Sequence, residues 1–178
     1  MTKRRGSYSE YENMFEALLR EKQLPYIAIN EAKRAVVNNK RIKSFDFIVS
    51  SKNGVFLIDI KGKQFPYGKG LRETDYWENW IHDDDLDGLE LWERIFRSNT
   101  AKGLLVFPYK IKFEKHINEF RCKFKFKNYW YGLVAVTPKE YRNNSKIRSS
   151  KGQVHAIYIS RKLFPKVARP LDYFITEL

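Results

Sequence analysis

The stretch SFDFIVSSKNGVFLIDIKG, residues 44–62, decides the fold that this sequence predicts. Two apolar runs, rich in β-branched and aromatic residues, flank Asn53-Gly54, a pair that is typical of the turn of a β-hairpin. Three charged residues, Asp46, Asp59 and Lys61, interrupt these runs. The stretch therefore predicts a hairpin that carries charges within apolar strands.

The register of this hairpin decides which charged residues face each other. With Asn53-Gly54 as a two-residue loop, Asp46 faces Lys61, and with a four-residue loop, Ser51 to Gly54, Asp46 faces Asp59. Both registers place the three charged side chains on one face, because side chains alternate along a strand. The other face is expected to be core, filled by six apolar residues: Phe45, Phe47, Val49, Phe56, Ile58 and Ile60.

Asp46 and Asp59 favour a metal ion between them. Two carboxylates that face each other repel, and burying them costs free energy unless a cation neutralises them. Mg²⁺ suits this role because one or two carboxylates hold it while it keeps waters and phosphate oxygens as further ligands. Such an ion activates water and polarises a phosphate, and Lys61 is expected to orient that water and stabilise developing negative charge. The hairpin therefore predicts a metal site that could activate water against a phosphate.

Helix and strand patterns alternate on both sides of the hairpin. Ser9 and Glu12 have the spacing of a helix capping box, and this helix is expected to end before Pro25. Further helices are expected at Asp83 to Phe96 and after Thr137-Pro138. Strands are expected at Tyr26 to Ile29, Ser44 to Ser50, Val55 to Lys61, Gly103 to Ile111, Tyr129 to Val136 and Val154 to Ser160.

The order of these residues resembles the PD-(D/E)XK pattern of restriction enzymes and Holliday-junction resolvases. That pattern has a helical glutamate, an aspartate, and then Asp-x-Lys across a hairpin, and the match covers roughly residues 7–111. Gly6-Ser7, Glu12 and the LREK of residues 19–22 look like the first helix of archaeal junction resolvases. Phe45 stands where the superfamily name has a proline.

The same helix is also similar to a family named for its HYAExFE signature, through Tyr11-Glu12 and Phe15-Glu16, although the histidine is absent. The resemblance to the junction resolvases implies that Glu12 is the helical metal ligand, with Glu16 as its alternative. At about 100° per residue, Glu12 falls at the edge of the apolar stripe and Glu16 further towards solvent, so Glu12 is preferred.

The superfamily resemblance implies a fold, a reaction and a cofactor. The fold is expected to be α/β (α+β), with a restriction-endonuclease-like core in which helices flank a mixed central β-sheet. The reaction is Mg²⁺-dependent phosphodiester hydrolysis, Mn²⁺ is expected to substitute, and homodimers are frequent. Residues 1–178 are expected to form one domain, with a catalytic core at about 7–111 and a basic extension of the sheet at about 112–178. The implied site consists of Glu12, Asp46 and Asp59 as metal ligands and Lys61 as catalytic cation.

The charge of the chain favours a polyphosphate partner. The formal net charge is +13, although Glu73 to Glu93 contains acidic residues and neither Lys nor Arg. Basic side chains that neutralise phosphates release counterions, which supplies much of the affinity for DNA or RNA. The expected partner is nucleic acid, DNA ahead of RNA, and branched or structured DNA is a candidate substrate.

Two basic segments are candidates for contacts with phosphates. The segment from Phe120 to Lys127 alternates apolar residues with four cations: Arg121, Lys123, Lys125 and Lys127. One face of such a strand could track a phosphate backbone, and an edge strand protected by lysines would have the same pattern. The second candidate is an expected loop with Arg142, Lys146, Arg148 and Lys151.

The candidate site residues also have simpler explanations. Glu12 can serve only as a helix-capping residue, and Asp46, Asp59 and Lys61 can form an ion-pair ladder on a solvated face of a sheet. For Asp83 to Asp87, favourable charge at a helix N-terminus is a simpler explanation than a second metal site. Core packing is likewise simpler than base stacking for six aromatic residues: Trp77, Trp80, Trp92, Tyr129, Trp130 and Tyr131.

The sequence as a whole predicts a Mg²⁺-dependent DNA endonuclease. The alternative is a non-catalytic nucleic-acid-binding module with a structural or degenerate acidic site. The single cysteine, Cys122, excludes an internal disulfide, and no apolar run is long enough for a membrane span. Because no hydrophobic signal follows Met1 to Gly6, the protein is expected to be cytoplasmic or nucleoid-associated and not secreted.

Overall fold

The computed structural model describes residues 9–30, 36–37, 40–68, 75–97, 100–148 and 156–178. The helices in these residues are α1 (Glu10–Glu21), α2 (Asp83–Ile95), α3 (Pro138–Asn144) and α4 (Phe164–Val167), with 3₁₀ helices at Glu114–Glu119 and Leu171–Tyr173. The strands are β1 (Tyr26–Ala28), β2 (Val36–Val37), β3 (Lys40–Arg41), β4 (Phe47–Ser51), β5 (Gly54–Ile60), β6 (Lys63–Phe65), β7 (Ile81–His82), β8 (Ala101–Ile111), β9 (Lys123–Phe126), β10 (Tyr129–Val136), β11 (Ser145–Arg148), β12 (Ala156–Ile159) and β13 (Arg169–Pro170).

Eight strands form one mixed sheet. Its main path is β1-β4-β5-β8-β10-β13, with β6 beside β8 and β9 beside β10. Strand β8 runs parallel to β5 and β6 and antiparallel to β10. Strands β11, β12 and β7 form a smaller antiparallel sheet, and β2 pairs with β3. The expected mixed central sheet flanked by helices is confirmed, because α1 and α2 pack on its opposite faces.

Helix α1 begins and ends where the sequence predicts. The Oγ of Ser9 accepts a hydrogen bond from the N–H of Glu12 at 3.2 Å, which satisfies one of the free amides of the first turn. The apolar stripe of α1 packs against β4 and β5 with four fully buried residues: Met14, Phe15, Leu18 and Leu19. Thr137 caps α3 in the same way, by accepting from the N–H of Glu140.

The β4–β5 hairpin adopts the second of the two expected registers, but its turn differs. Phe47 pairs with Ile58 and Ser51 with Gly54, so the turn residues are Lys52 and Asn53 rather than Asn53-Gly54. The C-terminal segment holds this turn, since the N–H of Lys52 donates to the Oε1 of Glu177 at 2.6 Å and the side-chain amide of Asn53 donates to the carbonyl of Phe174. Asp46 lies just before β4, and its N–H donates to the carbonyl of Ile58 at 2.8 Å, next to Asp59 in the chain.

Strands β5 and β6 keep a single register against β8. Ile60 pairs with Val106 and Lys63 with Tyr109, so no residue is inserted between the two strands. The pairing is interrupted opposite Pro108, which has no N–H to donate to the ladder. Because side chains alternate, this face carries Leu57, Asp59, Lys61, Lys63 and Phe65 in a row, and both Leu57 and Phe65 are buried in the core on the side of α2.

One sequence expectation about the hairpin is wrong, because Phe45 does not lie on the face away from the charged residues. Ile48 and Leu57 pack on the face of the charged residues, under α2. Phe45 also belongs to that side, where its ring lies 5.5 Å from the ring of Trp92. The chain bends at Asp46 before the strand begins, so the alternation of β4 does not extend to Phe45.

None of the helices in the described ranges is long and apolar enough to cross a membrane.

Candidate active site

The structure brings Asp59 and Lys61 together beneath α2, and the carboxylate of Asp46 bonds to the backbone N–H of Ile60 between them. Asp46 and Asp59 are each only 5% exposed. The ammonium of Lys61 lies 2.8 Å from the Oδ2 of Asp59, and the Oδ2 of Asp46 accepts a hydrogen bond from the N–H of Ile60 at 2.6 Å. The explanation by an ion-pair ladder on a solvated face is therefore wrong, because these groups are buried.

Asp85 completes this cluster, and sequence reasoning missed it. The Oδ2 of Asp85 lies 3.0 Å from the ammonium of Lys61, and its Oδ1 contacts the ammonium of Lys43. The Oδ2 also accepts a hydrogen bond from the N–H of His82, so the expected role at the N-terminus of the helix is present as well. Asp85 is 4% exposed and thus serves both the helix and the buried lysine.

A glycine allows α2 to approach the site closely. A Cβ at Gly88 would lie 2.9 Å from the carbonyl oxygen of Lys43, so a larger residue would push the helix away. The indole N–H of Trp92 donates to the same carbonyl at 3.0 Å. Asp85, Gly88, Leu89 and Trp92 follow the spacing of one helix face, and this pattern was the signal that could have identified Asp85 as buried.

The charged groups shift one another's ionisation. Burial raises the pKa of Asp59 to about 6, with a further rise from Asp85 and an opposing effect of Lys61. Burial alone would lower the pKa of Lys61, but the carboxylates of Asp59 and Asp85 outweigh it and raise that pKa above its ordinary value. Burial would raise the pKa of Asp85, yet Lys61 and Lys43 hold it below its usual range. Lys61 is therefore protonated at neutral pH.

The first turn of α1 reaches the end of β5 from the opposite face of the sheet. A Cβ at Gly62 would lie 2.1 Å from the ring of Tyr11, whose hydroxyl donates to the carbonyl of Lys63 at 2.8 Å. Glu12 follows Tyr11 and is half-buried. Glu16 accepts hydrogen bonds from Arg20 and Tyr26.

The donor set at the end of the hairpin fits a hard cation. Asp46, just before β4, and Asp59, in β5, are buried carboxylates, and Mg²⁺ is commonly held by one or two carboxylates and several waters. Within the described residues, no three His, Cys, Asp or Glu side chains lie close enough together to hold a metal. The assignment of Glu12 as a third ligand stays a prediction.

The basic strand has the expected alternation. All four of its cations are exposed, while Cys122 and Phe124 are buried. Among the described strands β9 pairs with β10 alone, so it lies at an edge of the sheet, and both explanations of its lysines stay open. Arg121 also lies 3.3 Å from a carboxylate oxygen of Asp172.

The second basic segment differs from the expected loop. Residues 145–148 form strand β11, and Arg142 lies on α3 with its guanidinium 2.6 Å from Asp87 and 2.7 Å from Glu90 of α2. Arg142 is thus paired with acids instead of being directed to phosphates. The side chain of Arg148 and the whole of Lys151 lie outside the described residues.

Comparisons with known proteins find a resemblance in structure and none in sequence. No model of a protein family matches the chain, and no curated protein matches it. Nine chains of solved structures match. One is Hjc, a Holliday junction resolvase from the archaeal hyperthermophile Archaeoglobus fulgidus, with 10% identity, a TM-score of 0.49 and coverage of 93% of this chain and 94% of that chain. At this level of similarity the activity has to be inferred from the residues of the site.

Proposed function

We propose that this protein is a Mg²⁺-dependent endonuclease of the PD-(D/E)XK type that acts on DNA. The observation that carries the proposal is the contact of Lys61 with the buried Asp59 at the end of β5, beside the buried Asp46, which accepts from the N–H of Ile60. A buried ion pair contributes little to stability compared with apolar side chains in the same place, and groups with perturbed pKa values cluster at functional sites. Function therefore explains this cluster better than stability does.

Lys61 acts as the catalytic cation. Its raised pKa keeps it charged, and Asp59 and Asp85 hold its ammonium from two sides. A cation fixed in this way needs no rearrangement to stabilise the negative charge that develops when water attacks phosphorus. Asp85 acts through Lys61 and is a positioning residue.

Asp46 and Asp59 would provide oxygen ligands for the metal, and Glu12 would be the third ligand. When bound, Mg²⁺ supplies a water of lowered pKa and polarises the scissile phosphate. Asp59 has to be deprotonated to serve as a ligand, so the pKa of about 6 makes metal binding sensitive to acid. Mn²⁺ accepts the same oxygen ligands and is expected to substitute.

The basic strand β9 lies at the same end of the sheet as the site. It pairs with the first half of β10, where Tyr131 lies opposite Lys110 of β8. The neighbouring residue of β8, Tyr109, pairs with Lys63, two residues beyond Lys61. DNA held by the exposed cations of β9 would therefore reach towards the carboxylates.

Cleavage of several DNA forms tests this proposal against the non-catalytic alternative. Supercoiled, linear, branched and single-stranded DNA are incubated with Mg²⁺, Mn²⁺ or EDTA, and binding of each is measured in parallel. Cleavage that requires a metal supports the nuclease. A purified protein that binds these DNAs but cuts none of them with either metal supports the binding module instead.

A further inference from the structure

A cleft of about 420 Å³ opens beside the candidate active site. It lies between residues 76–80 and the small sheet of β7, β11 and β12, and its volume falls in the range of small-molecule sites. Four of its wall residues are aromatic and two are charged: Tyr67, Tyr76, Trp80, Tyr158, Glu78 and Arg161. Such a wall offers flat apolar faces with a few polar groups at their edges.

Lys63 connects this cleft to the active site. It follows Lys61 by two residues on the same face of the extended chain, a spacing of roughly 7 Å. Its ammonium lies 4.0 Å from the centre of the Trp80 ring and donates to the carbonyl of Trp80 at 2.9 Å. The position of Trp80 is thus fixed by the strand segment that carries the catalytic lysine.

We propose that the cleft holds one unstacked nucleobase, so that the preferred DNA substrate has an unpaired nucleotide next to the scissile phosphate. This inference rests on the proposed nuclease function and adds the class of substrate. Aromatic faces bind bases of any sequence by stacking. Arg161, whose guanidinium lies 5.6 Å from the centre of the Tyr76 ring, is exposed and placed to contact the flanking phosphate.

Glu78 makes a base a better occupant than a phosphate. One of its carboxylate oxygens accepts the indole N–H of Trp80 at 2.7 Å, which fixes the carboxylate in the wall. A carboxylate in this place repels a phosphate and can accept a hydrogen bond from the amino group of a base, as it does with cytosine in DNA complexes. An unpaired cytosine is therefore expected to bind better than an unpaired thymine.

Binding of two hairpin DNAs in EDTA tests the inference without any need for cleavage. One hairpin is fully paired, the other has a single extrahelical cytosine, and affinity is measured by fluorescence anisotropy. Wild type is expected to prefer the second hairpin by about tenfold, the size of one stacked base. Tyr158→Ala is expected to lose this preference while it keeps its affinity for the paired hairpin. Tyr173→Ala removes a ring that is 64% exposed elsewhere and is expected to keep the preference.

Each other outcome overturns a specific claim. Three results would refute base binding in the cleft. They are equal affinity of wild type for both hairpins, no affinity for either hairpin, and the same preference in Tyr158→Ala as in Tyr173→Ala. If Tyr158→Ala does not fold, Tyr67→Ala decides in the same way, because its ring is exposed. A protein that prefers the extrahelical cytosine but cuts no DNA with any metal would support base binding in the cleft and contradict the nuclease proposal.

Discussion

The ammonium of Lys61 lies 3.0 Å from a carboxylate oxygen of Asp85, so the first turn of α2 holds a lysine at the end of β5. Asp59 holds the same ammonium at 2.8 Å from the strand itself. Two carboxylates on different elements leave the side chain of Lys61 little freedom. The helix therefore takes part in placing the catalytic cation.

Asp85→Asn is expected to slow DNA cleavage by at least about tenfold, because a lysine with one carboxylate partner is less well placed. Loss of one member of a buried ion cluster is also expected to lower the free energy of unfolding by about 3 kcal/mol. Single-turnover cleavage and urea unfolding measure the two effects. Asp84→Asn, at the exposed neighbour on α2, is the matched control and is expected to change stability by less than about 0.5 kcal/mol. Equal cleavage rates for the two variants would contradict the positioning role of Asp85.

The raised pKa of Asp59 predicts two opposite effects of pH. In Mg²⁺, cleavage is expected to fall as the pH drops through about 6, because a protonated carboxyl is a poor metal ligand. Without metal, the folded state binds this proton more tightly than the unfolded state, in which the pKa of Asp59 is near 3.8. Burial of the Asp59 carboxylate therefore lowers the free energy of unfolding increasingly as the pH rises from about 4 to 6.

Denaturant unfolding in EDTA at several pH values measures the second effect. The stability of Asp59→Asn relative to wild type is expected to increase with pH across that window and then to level off. A constant difference from pH 4 to pH 7 would show that Asp59 titrates normally.

The two glutamates of α1 form a natural pair of variants. Glu12→Gln is expected to raise the Mg²⁺ concentration that gives half-maximal cleavage by at least about tenfold, because it removes the third carboxylate. Glu16→Gln is expected to leave it unchanged, since Glu16 is already bonded to Arg20 and Tyr26. Titration of cleavage rate with Mg²⁺ measures both. The reverse result would move the helical ligand to Glu16.

The exposed cations of β9 are expected to contribute salt-dependent affinity. A variant with both Lys123→Ala and Lys125→Ala is expected to reduce the slope of log affinity against log salt by about 2, because two phosphate contacts are lost. The control removes two other exposed lysines, Lys52 and Lys102, at the far ends of β5 and β8. Equal slopes for both double variants would favour the simpler role of the β9 lysines in protecting an edge strand.

The sequence predicted the hairpin because a period of two and a turn signal are local features. Parity alone predicted one face for Asp46, Asp59 and Lys61, and Asp59 and Lys61 do lie together beneath α2. Asp46 lies at a bend before β4, where parity no longer applies. The turn itself could not be placed, because the contacts that hold Lys52 and Asn53 come from the distant C-terminal segment.

The contact of Asp85 with Lys61 could not be assigned for a related reason. The positive end of the helix dipole favours acidic residues in the first turn of α2, and this is a sufficient explanation for each of them taken alone. Only the packing of Gly88 against the carbonyl of Lys43 brings this turn onto the buried lysine. The helix-face pattern of α2 could have shown that Asp85 is buried, but only tertiary contacts between separate elements show which lysine it meets.

The most direct test of the proposed active site compares wild type, Asp59→Asn and Lys61→Ala at DNA concentrations that saturate each protein. Conversion of supercoiled plasmid is measured with Mg²⁺ and with EDTA. Wild type is expected to cut only with Mg²⁺, and each variant is expected to bind the plasmid and cut it at least about a hundredfold more slowly. Metal-dependent cutting by Asp59→Asn and Lys61→Ala at the wild-type rate would contradict the assignment of this site.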